Sequence, residues 1–267
     1  MTILDARSPA RRSHLFAKTQ VSICLVMLLI VAAGLARAAE DSGEVKLRTL
    51  PPVTASVAAF PRLVAGADPA TVERINKALA RGDERARSAA TDCVRQGRNH
   101  GAWSRKVSVT MRGPHYLSFV AADDWFCGGA YPDTGTVALV FDLSTGKPVD
   151  WGKLLPELVK HTGTDTAGDG STLGTVSSDR LSELYRDAAK RGESEPECAD
   201  ALKETELNFL LWPDAKLDGL VLQPTGLIHA IAACGPARPI ASETLKSLGV
   251  NAEFIAAIDT AHRQAGK

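Results

Sequence analysis

From Trp103 onward, apolar residues fall at every second position. In RKVSVTMR, Val107, Val109 and Met111 share one face, and Lys106, Ser108, Thr110 and Arg112 the other. That is the period of a half-buried strand. HYLSFVAA repeats the alternation after a Gly113-Pro114 turn, and TVALVFDL turns Val137, Leu139, Phe141 and Leu143 inward. STGK then reads as a hairpin connection to PVDW. Three alternating runs joined by short turns predict an antiparallel meander.

The stretch before it carries a helical period. Asp68 is a suitable N-cap and Pro69 suits the first turn. Val72, Ile75, Leu79, Ala86, Ala90 and Val94 then keep helical spacing, with Gly82 as an expected break and Gly97 as the stop. Downstream, 151–158 predicts a short helix, and the Gly-, Thr- and Asp-rich run to Ser178 a mobile surface loop. SSDRLSELYRDAAKRG predicts an amphipathic helix with Leu181, Leu184, Tyr185 and Ala188 on one side. Three short strands are expected between Thr205 and Cys234, and two capped helices (Ser242, Asn251) close the chain. The fold class is therefore α+β, an antiparallel meander sheet with helices packed on one face.

The N-terminus changes the picture from architecture to compartment. Arg7, Arg11, Arg12 and Lys18 precede an uncharged apolar run, Val21–Gly34, and then Ala36-Arg37-Ala38. This is the pattern of a cleavable signal peptide over 1–38. The run is shorter than the roughly 20 residues of a bilayer crossing, so a retained anchor is the weaker alternative. Removal of that segment takes the net charge from zero to −4. Such a balance gives no electrostatic footprint for nucleic acid or an anionic membrane.

Cys24 leaves with the signal, and Cys93, Cys127, Cys198 and Cys234 remain. An even set in an exported chain reads as two disulfides with three possible connectivities. The spacings of 34 and 36 positions suggest local pairing, Cys93–Cys127 and Cys198–Cys234. Free thiols or a zinc site are the alternatives, although no pair has the close spacing of a structural zinc site.

Candidate chemistry is sparse. The chain has no G-x-S-x-G, H-E-x-x-H, P-loop, G-x-G-x-x-G or C-x-x-C motif, and no cofactor or metal site is expected. His100, His115, His161, His229 and His262 are scattered, and His229 reads as a strand histidine. Asp165 and Asp169 lack the calcium-loop ladder. Asp123 and Asp124 are adjacent, so in a strand they point to opposite faces and do not converge on one bond; a solvated strand end is the simpler reading. Trp125, Trp151 and Trp212 are either sugar-stacking platforms or core anchors. In FCGGAYPDTGT, Gly128 and Gly129 suit a bend, and Pro132-Asp133 a turn with Gly135 at positive φ. Tyr131 and Asp133 are left without a structural need.

The run CGGAYPDTGTVALVFDLSTGKPVDWGKLL resembles the extracytoplasmic domain of unknown function shared by RsiV-type anti-sigma factors and PdaC-type peptidoglycan deacetylases. The matching residues are Gly128, Gly129, Ala130, Phe141, Asp142, Leu143, Thr145, Gly146 and Lys147, and the similarity covers about Trp103 to Leu158. Tyr131 stands where that family carries histidine, so no role of the imidazole transfers. The resemblance implies an α+β fold and envelope binding, since RsiV-like proteins sense lysozyme through their exported part; the enzymatic activities around this domain lie in neighbouring domains.

The organisation expected is a signal peptide over 1–38, an extended or edge segment over 39–67, and one α+β domain of this type over 68–267, or two lobes over 68–160 and 175–267. The function expected is a non-enzymatic periplasmic or secreted module that binds a cell-wall glycan or peptide, or an envelope protein. Its ligand-binding candidates are Trp125, Gly128, Gly129, Tyr131 and Asp133. The alternatives are a cell-wall hydrolase using two of Asp123, Asp124, Asp133 and His115, and a structural envelope protein.

Overall fold

The computed structural model describes residues 44–98, 100–191 and 196–266. The expected signal peptide and the first residues of the extended segment lie outside them. A short ribbon pairs β1 (Lys46–Arg48) with β2 (Arg62–Ala65). Then α1 (Pro69–Gln96) leads into the antiparallel meander β3 (Ala102–Arg112), β4 (Tyr116–Phe126) and β5 (Asp133–Asp142). After α2 (Trp151–Leu154) come β6 (His161–Thr166), β7 (Thr172–Ser177), α3 (Asp179–Arg191) and α4 (Pro196–Lys203). The chain continues through β8 (Asn208–Asp214), β9 (Gly219–Thr225), a 3-10 turn (His229–Cys234), β10 (Arg238–Ala241), α5 (Ser242–Ser247) and α6 (Ala252–Ala265). The second sheet has the order β10-β9-β8-β7-β6 and is antiparallel throughout. This is an α+β fold with two disulfides, Cys93–Cys127 and Cys198–Cys234.

The core lies where β8 packs on the meander and the helices close around it. Phe119 and Phe141 from the meander, Leu211 and Leu222 from the second sheet, and Phe254 from α6 are all buried there. Trp151 and Trp212 belong to this core too, which settles their role as anchors. A smaller cluster is separate: Val57, Ala86, Ala90, Cys93 and Trp103, with Trp125 and Cys127 packed against it.

Three local expectations are corrected. The first helix runs unbroken for 28 residues through Gly82. There the Phe60 ring packs so closely that an added Cβ would stand 3.2 Å from it, so the glycine serves a close approach rather than a break. The helix start is as read, with Asp68 Oδ1 accepting from the Ala70 and Thr71 N–H groups. The expected loop over 161–177 is instead the β6–β7 hairpin. Its strands carry few apolar residues because β7 meets β8 at only two register pairs, Val176–Phe209 and Ser177–Asn208; the remainder of the hairpin extends past the end of β8. The third expected strand before Cys234 is a 3-10 turn, and His229 on it is exposed. None of the described helices is long and apolar enough to cross a membrane.

Candidate functional site

The β3–β4 hairpin places two cross-strand pairs on one face. Trp103 lies opposite Trp125 and Arg105 opposite Asp123, and residues two apart on each strand point the same way. The indole rings stack, with centroids 4.8 Å apart and planes at 10°. Trp103 Nε1–H donates to Asp123 Oδ1 at 3.2 Å. Arg105 grips the same carboxylate with Nε and Nη2, at 2.7 and 2.5 Å.

A third element completes this cluster. The tip of the β6–β7 hairpin brings Asp169 within 2.7 Å of Arg105 Nη2, while the other Asp169 oxygen accepts from Ser171 N–H. All three charged side chains are essentially without solvent exposure. Burial works against the Arg105 charge, but the hydrogen bonds and charge of Asp123, and then of Asp169, outweigh it and hold the guanidinium above the ordinary arginine range. The guanidinium also sits 5.8 Å from the centre of the Phe60 ring. Nη1 alone is buried without a hydrogen-bond partner among the described residues. Two corrections follow: Asp123 is no solvated strand end, and the Asp169 segment is no free loop.

Beside this buried cluster opens a groove of ≈ 530 Å³. One wall is α1, where Arg85, Ser88, Asp92 and Gln96 recur at helical spacing along one side. Ala86, Ala90 and Cys93, on the neighbouring stripe, are buried in the small apolar cluster beneath. Facing them are Trp103, Trp125 and Cys127, with the hairpin tip Gly168-Asp169-Gly170 at one end. Asp92 is matched by Arg95 at 2.7 Å.

The tip lies tightly on Trp125. A Cβ at Gly168 would stand 2.5 Å from the ring and one at Gly135 3.0 Å. Gly135 therefore makes room for the indole inside β5, where a turn with positive φ was expected. Gly168→Ala should push the tip or the ring aside and cost about 1–3 kcal/mol, read as a lowered urea midpoint with altered tryptophan emission.

The sequence-predicted residues separate. Trp125 lines the groove. Gly128 takes φ 88° and packs against the Gly97 backbone, where a Cβ would meet Gly97 Cα at 3.0 Å, so it shapes the bend that lets Cys127 reach Cys93. Gly129 meets only open surroundings, with its nearest neighbour at 4.0 Å. Tyr131 is 71% exposed and stacks on His229, with ring centres 5.6 Å apart; it is not among the groove residues. Asp133 is exposed and its side chain accepts from the next N–H, that of Thr134.

The four residues weighed for acid–base chemistry do not meet. Asp123 is locked to Arg105, Asp124 is exposed on the opposite strand face, Asp133 begins β5, and His115 sits in the turn at the far end of the hairpin. Among the described residues no group of three or more His, Cys, Asp or Glu side chains could hold a metal.

Arg105, Asp169 and the polar face of α1 were missed by sequence reasoning. Counting outward from the Gly113-Pro114 turn would have set Arg105 opposite Asp124, because the register shifts by one residue between Val109 and Met111. Nothing local in the sequence points Asp169 at Arg105.

No protein-family model matches the chain, and no curated protein matches it. The chain is similar to the crystal structure of a member of the DUF3298 family from Bacteroides fragilis, at 13% identity and a TM-score of 0.48. The match covers 82% of this chain and 96% of that one.

Proposed function

We propose that the protein is an exported, non-enzymatic module that binds a cell-wall glycan fragment in the groove between α1 and the Trp103–Trp125 stack. The observation that carries this reading is the pairing of an indole-bearing wall with a polar helix face across one groove. Trp103 is buried beneath Trp125 and the hairpin tip lies on the Trp125 ring, so the groove offers a glycan the exposed part of one indole for its apolar surface and the polar side chains of α1 for its hydroxyls. A volume of ≈ 530 Å³ suits a ligand of one or two rings.

Both disulfides support export, because paired cysteines persist in oxidising compartments. The hydrolase alternative lacks support from its own candidates, since none of Asp123, Asp124, Asp133 and His115 shares a cleft with another. Arg105 holds Asp123 in a structural ion cluster that leaves no free carboxylate for proton transfer.

Titration calorimetry with purified muropeptides tests the reading. Wild-type protein should bind saturably. Ser88→Trp, which fills the groove from an exposed helix position, should weaken binding at least about tenfold, the scale of losing one good contact set, while the melting temperature stays unchanged. Absence of saturable binding, or equal affinity in Ser88→Trp, would refute it.

A further inference from the structure

We infer that the groove beside α1 selects a glycan fragment that carries a carboxylate, and that Arg85 is the residue that reads it. This selectivity rests on the glycan reading of the same groove and adds the charge its ligand bears.

Three charged residues line the groove: Arg85, Asp92 and Asp169. Asp169 is closed to a ligand. Its side chain has no solvent exposure, and its two oxygens accept from Arg105 Nη2 and from Ser171 N–H. Asp92 is paired with Arg95 at 2.7 Å. Arg85 has neither an ion pair nor a side-chain hydrogen bond among the described residues.

The helix keeps it unmatched. Residues three and four apart are neighbours on a helix surface, and around Arg85 these are Arg81, Gly82, Ser88 and Ala89. None is acidic, and Arg81 is a second exposed cation without an ion pair among the described residues. The two carboxylates between Arg81 and Arg85 are taken, Asp83 by Arg62 at 2.6 Å and Glu84 by Arg87. The buried cluster under the hairpin tip carries one net negative charge, two carboxylates against one guanidinium. Arg81 and Arg85 together exceed it, so this end of the groove suits an anion.

Position turns that charge into a rule for the ligand. Asp92 lies seven positions from Arg85, two helical turns or about 10 Å along the axis. Ser88 lies between them and Gln96 beyond, all lining the groove. A fragment of one or two rings lying along α1 meets a cation at one end and partners for hydroxyl and amide groups along the rest. Ala89, Cys93 and Trp125 wall the groove with apolar surface, which strengthens an ion pair there relative to an open surface. A guanidinium grips a carboxylate with two parallel N–H donors, a geometry that a neutral amide cannot reciprocate.

Titration calorimetry with three probes tests this. They are the disaccharide of N-acetylglucosamine and N-acetylmuramic acid, the same disaccharide with its lactyl carboxylate converted to the amide, and muramyl dipeptide, whose acid sits on the peptide. The disaccharide acid should bind about tenfold more tightly than its amide. Arg85→Gln, at an exposed position, should bring the acid down to the amide level, leaving the amide affinity and the melting temperature unchanged. An Arg85-dependent gain seen with muramyl dipeptide instead supports the proposal and places the carboxylate on the peptide. Equal affinity for acid and amide, together with muramyl dipeptide binding that Arg85→Gln leaves unchanged, would overturn the selectivity while keeping the groove as a glycan site. A preference for the acid that survives Arg85→Gln would overturn it equally. Absence of binding by all three probes would remove the groove reading itself, and the selectivity with it.

Discussion

Arg105→Met will destabilise the protein by about 3–5 kcal/mol, because it leaves the Asp123 and Asp169 carboxylates buried without their shared cation. Arg105 spends three hydrogen bonds on those two groups, at 2.5–2.7 Å. The substitution therefore unties the meander from the β6–β7 hairpin as well as exposing two carboxylates to an apolar surrounding. Urea unfolding followed by circular dichroism reads the loss. Asp124→Asn, one residue from the cluster but on the exposed strand face, should stay within about 0.5 kcal/mol of wild type. Equal effects of the two substitutions would show that the buried cluster contributes nothing particular.

The second large effect concerns the disulfides, which should cost alike and act differently. Removing Cys93–Cys127 or Cys198–Cys234 by paired alanine substitution should each lower stability by about 3–4 kcal/mol, since the closed loops are similar in length. The 34-residue and 36-residue separations make that comparison direct. Only the first pair floors the groove: Cys93 and Cys127 both line it, and Cys93 sits in the small apolar cluster with Trp103. Muropeptide binding should therefore be lost with Cys93–Cys127 and kept with Cys198–Cys234, measured below the unfolding transition of each variant. Loss of binding in both would detach the groove from that cluster.

The meander was legible because its strands alternate cleanly and face one core, and α1 because Asp68 and a long apolar stripe announce it. The β6–β7 hairpin was not legible. HTGTDT is exposed at nearly every position, so no apolar alternation marks it, and what fixes the hairpin is a buried charge at its tip. That charge finds its partner 64 positions away, beyond the reach of any local pattern. Gly82 and Gly135 misled for a related reason: each looks like a break or a turn in sequence, yet each makes room for an aromatic ring from elsewhere in the fold, Phe60 and Trp125 respectively. The candidate groove was only partly legible. Trp125, which lines it, was singled out from its type and place, but the polar residues facing it from α1 read simply as the solvated face of a helix. Tyr131 drew notice as an aromatic without a structural duty, and the structure gives it a surface stack on His229.

In the proposed function, ligand lies between α1 and the tryptophan stack. Resonance mapping of the bound state tests it most directly, using the indole N–H signals together with the backbone amides during a muropeptide titration. Saturable shifts are expected at the Trp103 and Trp125 indoles and at the amides of Arg85, Ser88, Asp92 and Gln96, with the core indoles of Trp151 and Trp212 unmoved. Shifts centred on Tyr131 and His229 with the groove silent would contradict it.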